Sequence, residues 1–369
     1  MVTVTRPAAG RAPLVLAILA ILLMPGILPA QESETLRTVE VEALTTAARG
    51  EAIDKWTLEG LGRASLDFQS RGSRNVRSRL KIEALMGETA DGNDVRISIP
   101  WAFIRARFPL GEDYLFRTTF GKSRVTWGDG ALYNAGDLVF GAAGERADLF
   151  SSGAVRDETD WLITAFFPLG QFAFIEPVIL VPESRLSAAN SPDFDETALG
   201  SRIQWRMGSI KAETGYFFRG AVEEHDLSLS LQGNLGPDLY AGAATTLGPD
   251  ADGYRRLRIS AGALHQLRQG TDGMLSFRLE TLVYPDDTDT LSLYPEISWS
   301  PTQSTSFFYR MLIAPVDVSA LSIIGAQWSV YQGFTLAGYL TVQGGDQGDT
   351  YSFDRPGGVA VTTSVTYVY

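Results

Sequence analysis

Gly273–Tyr284 reads GMLSFRLETLVY, and the neighbouring Tyr254–Leu267 reads YRRLRISAGALHQL. In the first, Leu275, Phe277, Leu279 and Val283 alternate with Ser276, Arg278 and Glu280. In the second, Leu257, Ile259, Ala261 and Ala263 alternate with Arg256, Arg258, Ser260 and Gly262. A repeat of two is that of an extended strand, whose successive side chains leave opposite faces. One face is apolar and the other is charged at almost every second place. Charges need water. A soluble sandwich supplies it by turning the charged face outward. A closed barrel in lipid does the reverse, with water inside and the apolar face outside.

The same alternation recurs in Leu291–Trp299, and seventeen such segments in all lie between residue 55 and the C-terminus. No window carries a sustained helical stripe. Short turns fall at Pro109-Leu110-Gly111, Leu169-Gly170, Met207-Gly208, Gly236-Pro237, Pro301-Thr302 and Gln332-Gly333. Longer and more acidic links lie between them, at about 124–159, 183–195, 220–225, 248–253, 285–289, 314–319 and 344–357. Barrels of the bacterial outer membrane have short periplasmic turns, longer external loops and an even number of strands. An eighteenth strand is therefore expected before residue 55, and Leu36–Ala43 (LRTVEVEA) alternates and supplies it. The expected fold is an all-β, transmembrane, antiparallel up-and-down barrel of about 18 strands with both termini periplasmic. Sixteen strands is the alternative.

Composition and the chain ends agree with this class. Arg6 and Arg11 precede an apolar run from Pro13 to Leu28 that ends at Pro29-Ala30, so residues 1–30 read as a secretory signal peptide and 31–369 as the mature barrel. Beyond that run no apolar stretch reaches the roughly 20 residues of a membrane helix. The chain has no cysteine, so it gains nothing from disulfides. A net charge of −12 argues against nucleic-acid partners. At the C-terminus Val365, Tyr367 and Tyr369 alternate to a terminal aromatic residue. This resembles the signal by which barrel-assembly machinery recognises its clients. Trp101, Trp161, Trp205, Trp299 and Trp328 lie near expected strand ends and suit interfacial girdles.

Alternation places a set of cations on the inner face: Arg77, Arg79, Lys81, Arg96, Arg117, Arg202, Arg206, Lys211, Arg219, Arg256, Arg258, Arg278 and Arg310. Expected inner acids are fewer: Glu83, Glu176, Glu213, Glu280 and Glu296. The acids Asp148, Asp193, Asp195, Glu223, Glu224, Asp250, Asp252, Asp286, Asp287 and Asp346 fall in the long links. Two readings stand: solvated charges merely kept off lipid, or a basic inner wall that favours anions beneath an acidic rim. A one-residue bulge would swap faces, and the alternation changes phase around Phe103–Arg107.

Ser123–Asp160, SRVTWGDGALYNAGDLVFGAAGERADLFSSGAVRDETD, is much longer than the other links. Its Leu132, Tyr133, Leu138, Val139, Phe140, Leu149 and Phe150 need a place to pack. Folded into the barrel, they would pack on the wall and narrow the pore, and Asp129, Asp137, Glu145 and Asp148 would face the cationic strands. An external cap is the other reading. Gly121-Lys122-Ser123-Arg124, Trp127-Gly128-Asp129-Gly130 and Asn134-Ala135-Gly136-Asp137 together resemble the strand, WG, N-P-x-D signature of porin-like outer-membrane families. Ala135 and Gly136 stand where that pattern often has Pro and a variable residue. The resemblance implies a barrel that passes small solutes, in outer-membrane lipid, and it leaves a homo-oligomer open.

His225 and His265 have no partner set recognisable from sequence, no Cys/His metal spacing occurs, and no cofactor or catalytic group is implied. The leading expectation is an outer-membrane channel for small polar or anionic solutes, with the long loop as its constriction. The alternatives are a transporter of hydrophobic compounds and a closed structural or adhesin barrel.

Overall fold

The computed structural model describes residues 35–50, 53–70, 75–89, 92–111, 114–145, 147–151, 153, 155–181, 197–248, 256–286, 290–352 and 358–369. The expected signal peptide lies outside these residues, as do Asp193, Asp195, Asp250, Asp252 and Asp287. Among the described residues eighteen strands form one antiparallel sheet. They are β1 (Thr35–Gly50), β2 (Ile53–Ser70), β3 (Val76–Thr89), β4 (Gly92–Leu110), β5 (Tyr114–Ser123) and β6 (Asp160–Pro168). There follow β7 (Ala173–Leu180), β8 (Ala198–Met207), β9 (Ile210–Arg219), β10 (Glu224–Asn234), β11 (Asp238–Leu247) and β12 (Arg256–Gln269). The last six are β13 (Gly273–Val283), β14 (Leu291–Thr302), β15 (Thr305–Ala314), β16 (Ser319–Tyr331), β17 (Phe334–Gly344) and β18 (Val359–Val368).

Each strand pairs with its neighbours in sequence, and β1 pairs with β18 through Glu40↔Val368 to Arg49↔Val359. Closure leaves the sheet no free edge. Val39 and Tyr369 exchange both backbone hydrogen bonds at 2.8 Å, so the last residue is tied into the seam.

The two faces follow the alternation. Ile97, Ile104, Leu229, Leu279, Ile324 and Val361 stand exposed on the outside. Glu213, Asp226, Glu280 and Arg310 are buried on the inside. The phase change lies a little earlier in β4 than the sequence reading placed it. The two-residue step Lys81 to Glu83 on β3 is matched by the three-residue step Ser98 to Trp101 on β4. One extra residue there moves the inner face from even to odd positions. Trp101 is consequently directed inward, beneath Arg79 at 4.7 Å, and belongs to no outer girdle. Trp161, Trp299 and Trp328 are exposed on the outer face, as a girdle requires.

Candidate functional site

The interior is organised around residues 124–159, which leave β5 and return to β6 with no helix or strand among the described residues. An irregular segment carries backbone N–H and C=O groups that no ladder satisfies. The wall supplies the partners. The carboxylate of Glu280 accepts N–H bonds from Ala131 (2.6 Å), Leu132 (2.8 Å) and Tyr133 (2.9 Å), and a hydroxyl bond from Tyr240. Glu213 accepts from Gly128 N–H at 2.6 Å, and Ser260 Oγ from Ala135 N–H at 2.8 Å. Guanidiniums take the carbonyls. Arg202 donates to Thr126 (2.5 Å), Arg219 to Leu138 (3.1 Å), and Arg310 to Leu149 (2.6 Å) and Ser151 (2.7 Å).

The strand register explains how Glu280 reaches its partners. Tyr240, Gly262, Glu280 and Tyr294 stand in one row across β11 to β14. A Cβ at Gly262 would lie 2.3 Å from the Tyr240 ring, so glycine there lets the ring cross β12 to the carboxylate. Tyr294 closes the row, bonding Glu296 at 3.0 Å.

Each member of the Trp127-Gly128 and Asn134-to-Asp137 segments has a packing role. Trp127 is fully buried, edge-on to Phe217 at 6.0 Å. Asn134 donates to Trp127 O (2.8 Å) and accepts from Gly136 N–H (3.1 Å), joining the two segments. Gly128, at φ 67°, lies against Gly136, and a Cβ on either would strike Asn134 or Ser230. Asp137 accepts from the N–H groups of Val139 (3.2 Å) and Phe140 (3.1 Å) and pairs with Arg156 at 3.0 Å. Arg156 also holds Glu158 (3.2 Å) and Gly141 O (2.7 Å), which clasps the two halves of the loop. Burial pushes the Asp137 carboxyl up to about 6, against the lowering effect of Arg156 and the two N–H groups.

The apolar side chains of the loop pack on the wall, as in the inward of the two readings of the sequence. Val125, Trp127 and Leu138 pack with Leu162, Val178, Phe217 and Ala244 of the wall. Leu132 and Tyr133 pack with Leu282 and Tyr294, and Phe150 meets Tyr339 edge-on at 5.2 Å. The loop acids do not behave as one group. Asp129 pairs with Lys211 of the wall, as expected. Asp137 instead serves Arg156 within the loop, Asp148 caps Phe150 N–H at 3.0 Å, and Glu145 is exposed.

Most of the expected inner cations are found in ion pairs. Arg79 holds Asp67 (2.7 Å) and Lys81 holds Glu83 (3.1 Å). Arg202 holds Glu176 (2.7 Å) and Glu213 (2.9 Å), and Arg258 holds Asp226 (3.2 Å). Arg278 and Arg310 share Glu296 at 2.8 and 3.2 Å. Arg96 stands opposite Leu85 on the inner face. Arg256 lies in β12, but its side chain is outside the described residues. The sequence reading missed Glu40, Glu42, Asp67 and Asp226 as inner acids, although each falls on an alternating position. It also missed Arg105 and Arg107, because the β4 bulge hides their phase.

The loop is hydrogen-bonded mainly to strands from β8 onward and also packs on Leu162 of β6 and Val178 of β7. Four further arginines stand on β3–β5. There Arg77 stands directly opposite Arg105, and Arg107 opposite Arg117. None of these four joins an acid among the described residues. Arg105 is 5.2 Å over Phe103, and Arg117 is 4.7 Å over Phe166.

No family model and no curated protein matches this chain. Its architecture is similar to that of OccK2 (OpdF) of Pseudomonas aeruginosa, with a TM-score of 0.56 at 12% identity, covering 91% of this chain and 97% of that one. OccAB3 of Acinetobacter baumannii gives 0.54 at 8% identity, covering 91% and 99%. OccK11 (OpdR) of P. aeruginosa gives 0.53 at 9%, covering 90% and 95%. At these identities the likeness is one of fold, and function must be argued from the site.

Proposed function

We propose that this protein is an outer-membrane channel for small polar solutes, with a lumen that favours anions and is narrowed by residues 124–159. The observation that carries the reading is the division of the interior. The loop is docked on part of the wall, its backbone hydrogen-bonded to wall carboxylates and guanidiniums. Another part, on β3–β5, carries Arg77, Arg105, Arg107 and Arg117, none of which forms an ion pair among the described residues. A closed structural barrel has no use for unneutralised cations on an inner wall. A carrier of apolar compounds would need an apolar lining there.

The exposed outer belt of aliphatic and aromatic residues is far larger than a soluble monomer presents to water, and lipid is its natural solvent. The short turns then belong to the periplasmic side, together with both ends of the barrel, and the longer links to the outside. Barrel-assembly machinery would recognise the final strand, which ends Thr366-Tyr367-Val368-Tyr369.

The test is conductance of the refolded protein in planar bilayers, with the reversal potential read under a salt gradient. Stable steps with a reversal potential on the anion side are expected. A folded barrel that gives no steps would overturn the channel reading, and a cation-side reversal would overturn the anion preference.

A further inference from the structure

A recess of about 290 Å³ opens between the β4–β8 wall and the first residues of the loop. Arg105, Arg117, Arg124 and Arg202 line it, with Glu176 as its acid and Phe166 as its apolar floor. Glu176 is held by Arg202 at 2.7 Å, and Arg202 is held a second time by Glu213 at 2.9 Å. Arg124 makes a long pair, 3.5 Å, with the exposed Asp157. Arg105 and Arg117 form no ion pair among the described residues, and the one acid of the recess, Glu176, is already held by Arg202. Arg105 spends only its Nε, on Thr119 Oγ at 3.2 Å, and Arg117 stacks on Phe166. Stacking fixes the plane of a guanidinium and leaves its N–H fork free.

The surroundings make these two charges more costly. Arg77 stands across from Arg105 and Arg107 across from Arg117, and like charges directly opposite on neighbouring strands destabilise a sheet. Substituting any of them would relieve the repulsion unless an anion offsets it. Two free guanidinium forks facing one recess match an oxyanion with two negative charges, because each fork can hold two oxygens. A single carboxylate would neutralise one fork and leave the other.

We infer that this recess is a binding site for a small dianionic oxyanion, of the phosphate, sulfate or dicarboxylate kind, held by Arg105 and Arg117 on its way through the lumen. The inference rests on the channel reading only for the words about passage; the site itself can be tested without it. Inorganic phosphate, sulfate and acetate are titrated into the folded full-length barrel in detergent by calorimetry, at about pH 8 where phosphate is mostly dianionic. Saturable binding of phosphate and sulfate is expected, with acetate about 10-fold weaker or more. Arg105→Gln and Arg117→Gln should each weaken phosphate by about 10-fold, and Arg117→Lys by less, since it keeps the charge and loses the fork. Arg206→Gln, on the inner face but outside the recess, should leave the affinity unchanged and serves as the folding control.

Absence of saturable phosphate heat from a folded barrel would overturn the site. So would equal affinity for acetate, or full affinity in the Arg105→Gln/Arg117→Gln double variant. A barrel that binds phosphate yet conducts nothing would overturn the channel and spare the site. One that conducts and does not bind would do the opposite.

Discussion

Glu280 shows how a charge can be buried inside this barrel without penalty to the fold. It has no solvent exposure, yet three loop N–H groups and the Tyr240 hydroxyl fill its lone pairs, and Arg278 lies 3.9 Å away. Successive N–H groups around one anion form a nest, here with the anion supplied by the wall. Glu280→Gln keeps the shape but turns one acceptor into a donor aimed at N–H groups. Loss of about 2–3 kcal/mol is expected, seen as a lower unfolding midpoint and faster protease cleavage within 124–159. A variant that melts and is cleaved like the parent would show that Glu280 does not anchor the loop. Asp137 predicts a pH effect. Its carboxyl is pushed up to about 6, above its unfolded value near 4, so the folded loop favours the protonated form. Its contribution is therefore present below about pH 4 and lost as pH rises through about 6. Asp137→Asn mimics the protonated form, so it should match the parent at low pH and exceed it in loop stability at neutral pH. A difference between the two that does not change with pH would count against this.

At the scale of elements, the strands were legible in the sequence and the partners of the long loop were not. Strands declare themselves by period, and Gly273–Val283 or Leu291–Thr302 follow that period almost to their ends. β4 was legible in place but ambiguous in facing, since its bulge opposite Lys81–Glu83 leaves Arg105 and Arg107 out of step with Arg96. The loop has no period at all. Its apolar residues said that it packs somewhere, and they do pack against the wall. Its acids, however, were expected to face the cationic strands, and among the described residues only Asp129 forms an ion pair with the wall, through Lys211. The wall binds the loop mainly through its backbone. Backbone groups are the same in every residue, so no side-chain pattern announces them. A loop held this firmly should act as a fixed constriction. Replacing residues 130–155 by a short Gly-Ser linker should raise the single-channel conductance several-fold while the barrel still resists denaturation. Unchanged conductance would mean that the narrowest point lies elsewhere.

For the whole molecule, a net charge of −12 coexists with a cationic stretch of inner wall. The two are compatible because net charge sets the far field, whereas selectivity is set where walls of low dielectric constant crowd a solute. Most inner charges cancel in place: Arg79 with Asp67, Lys81 with Glu83, Arg202 with Glu176 and Glu213, Arg258 with Asp226, and Arg278 and Arg310 around Glu296. The surplus is concentrated at Arg77, Arg105, Arg107 and Arg117 on three adjacent strands. Replacing these four with Gln should move the reversal potential toward the cation side, because most of the other inner cations are already in ion pairs. Screening adds a second signature. The Debye length falls from about 10 Å at 0.1 M to about 3 Å at 1 M salt, so the anion preference proposed for the parent should weaken over that range. The variant, with no concentrated surplus to screen, should change much less. If the four-fold variant keeps the parent's reversal potential at both salt concentrations, the selectivity of this barrel does not arise from the β3–β5 wall.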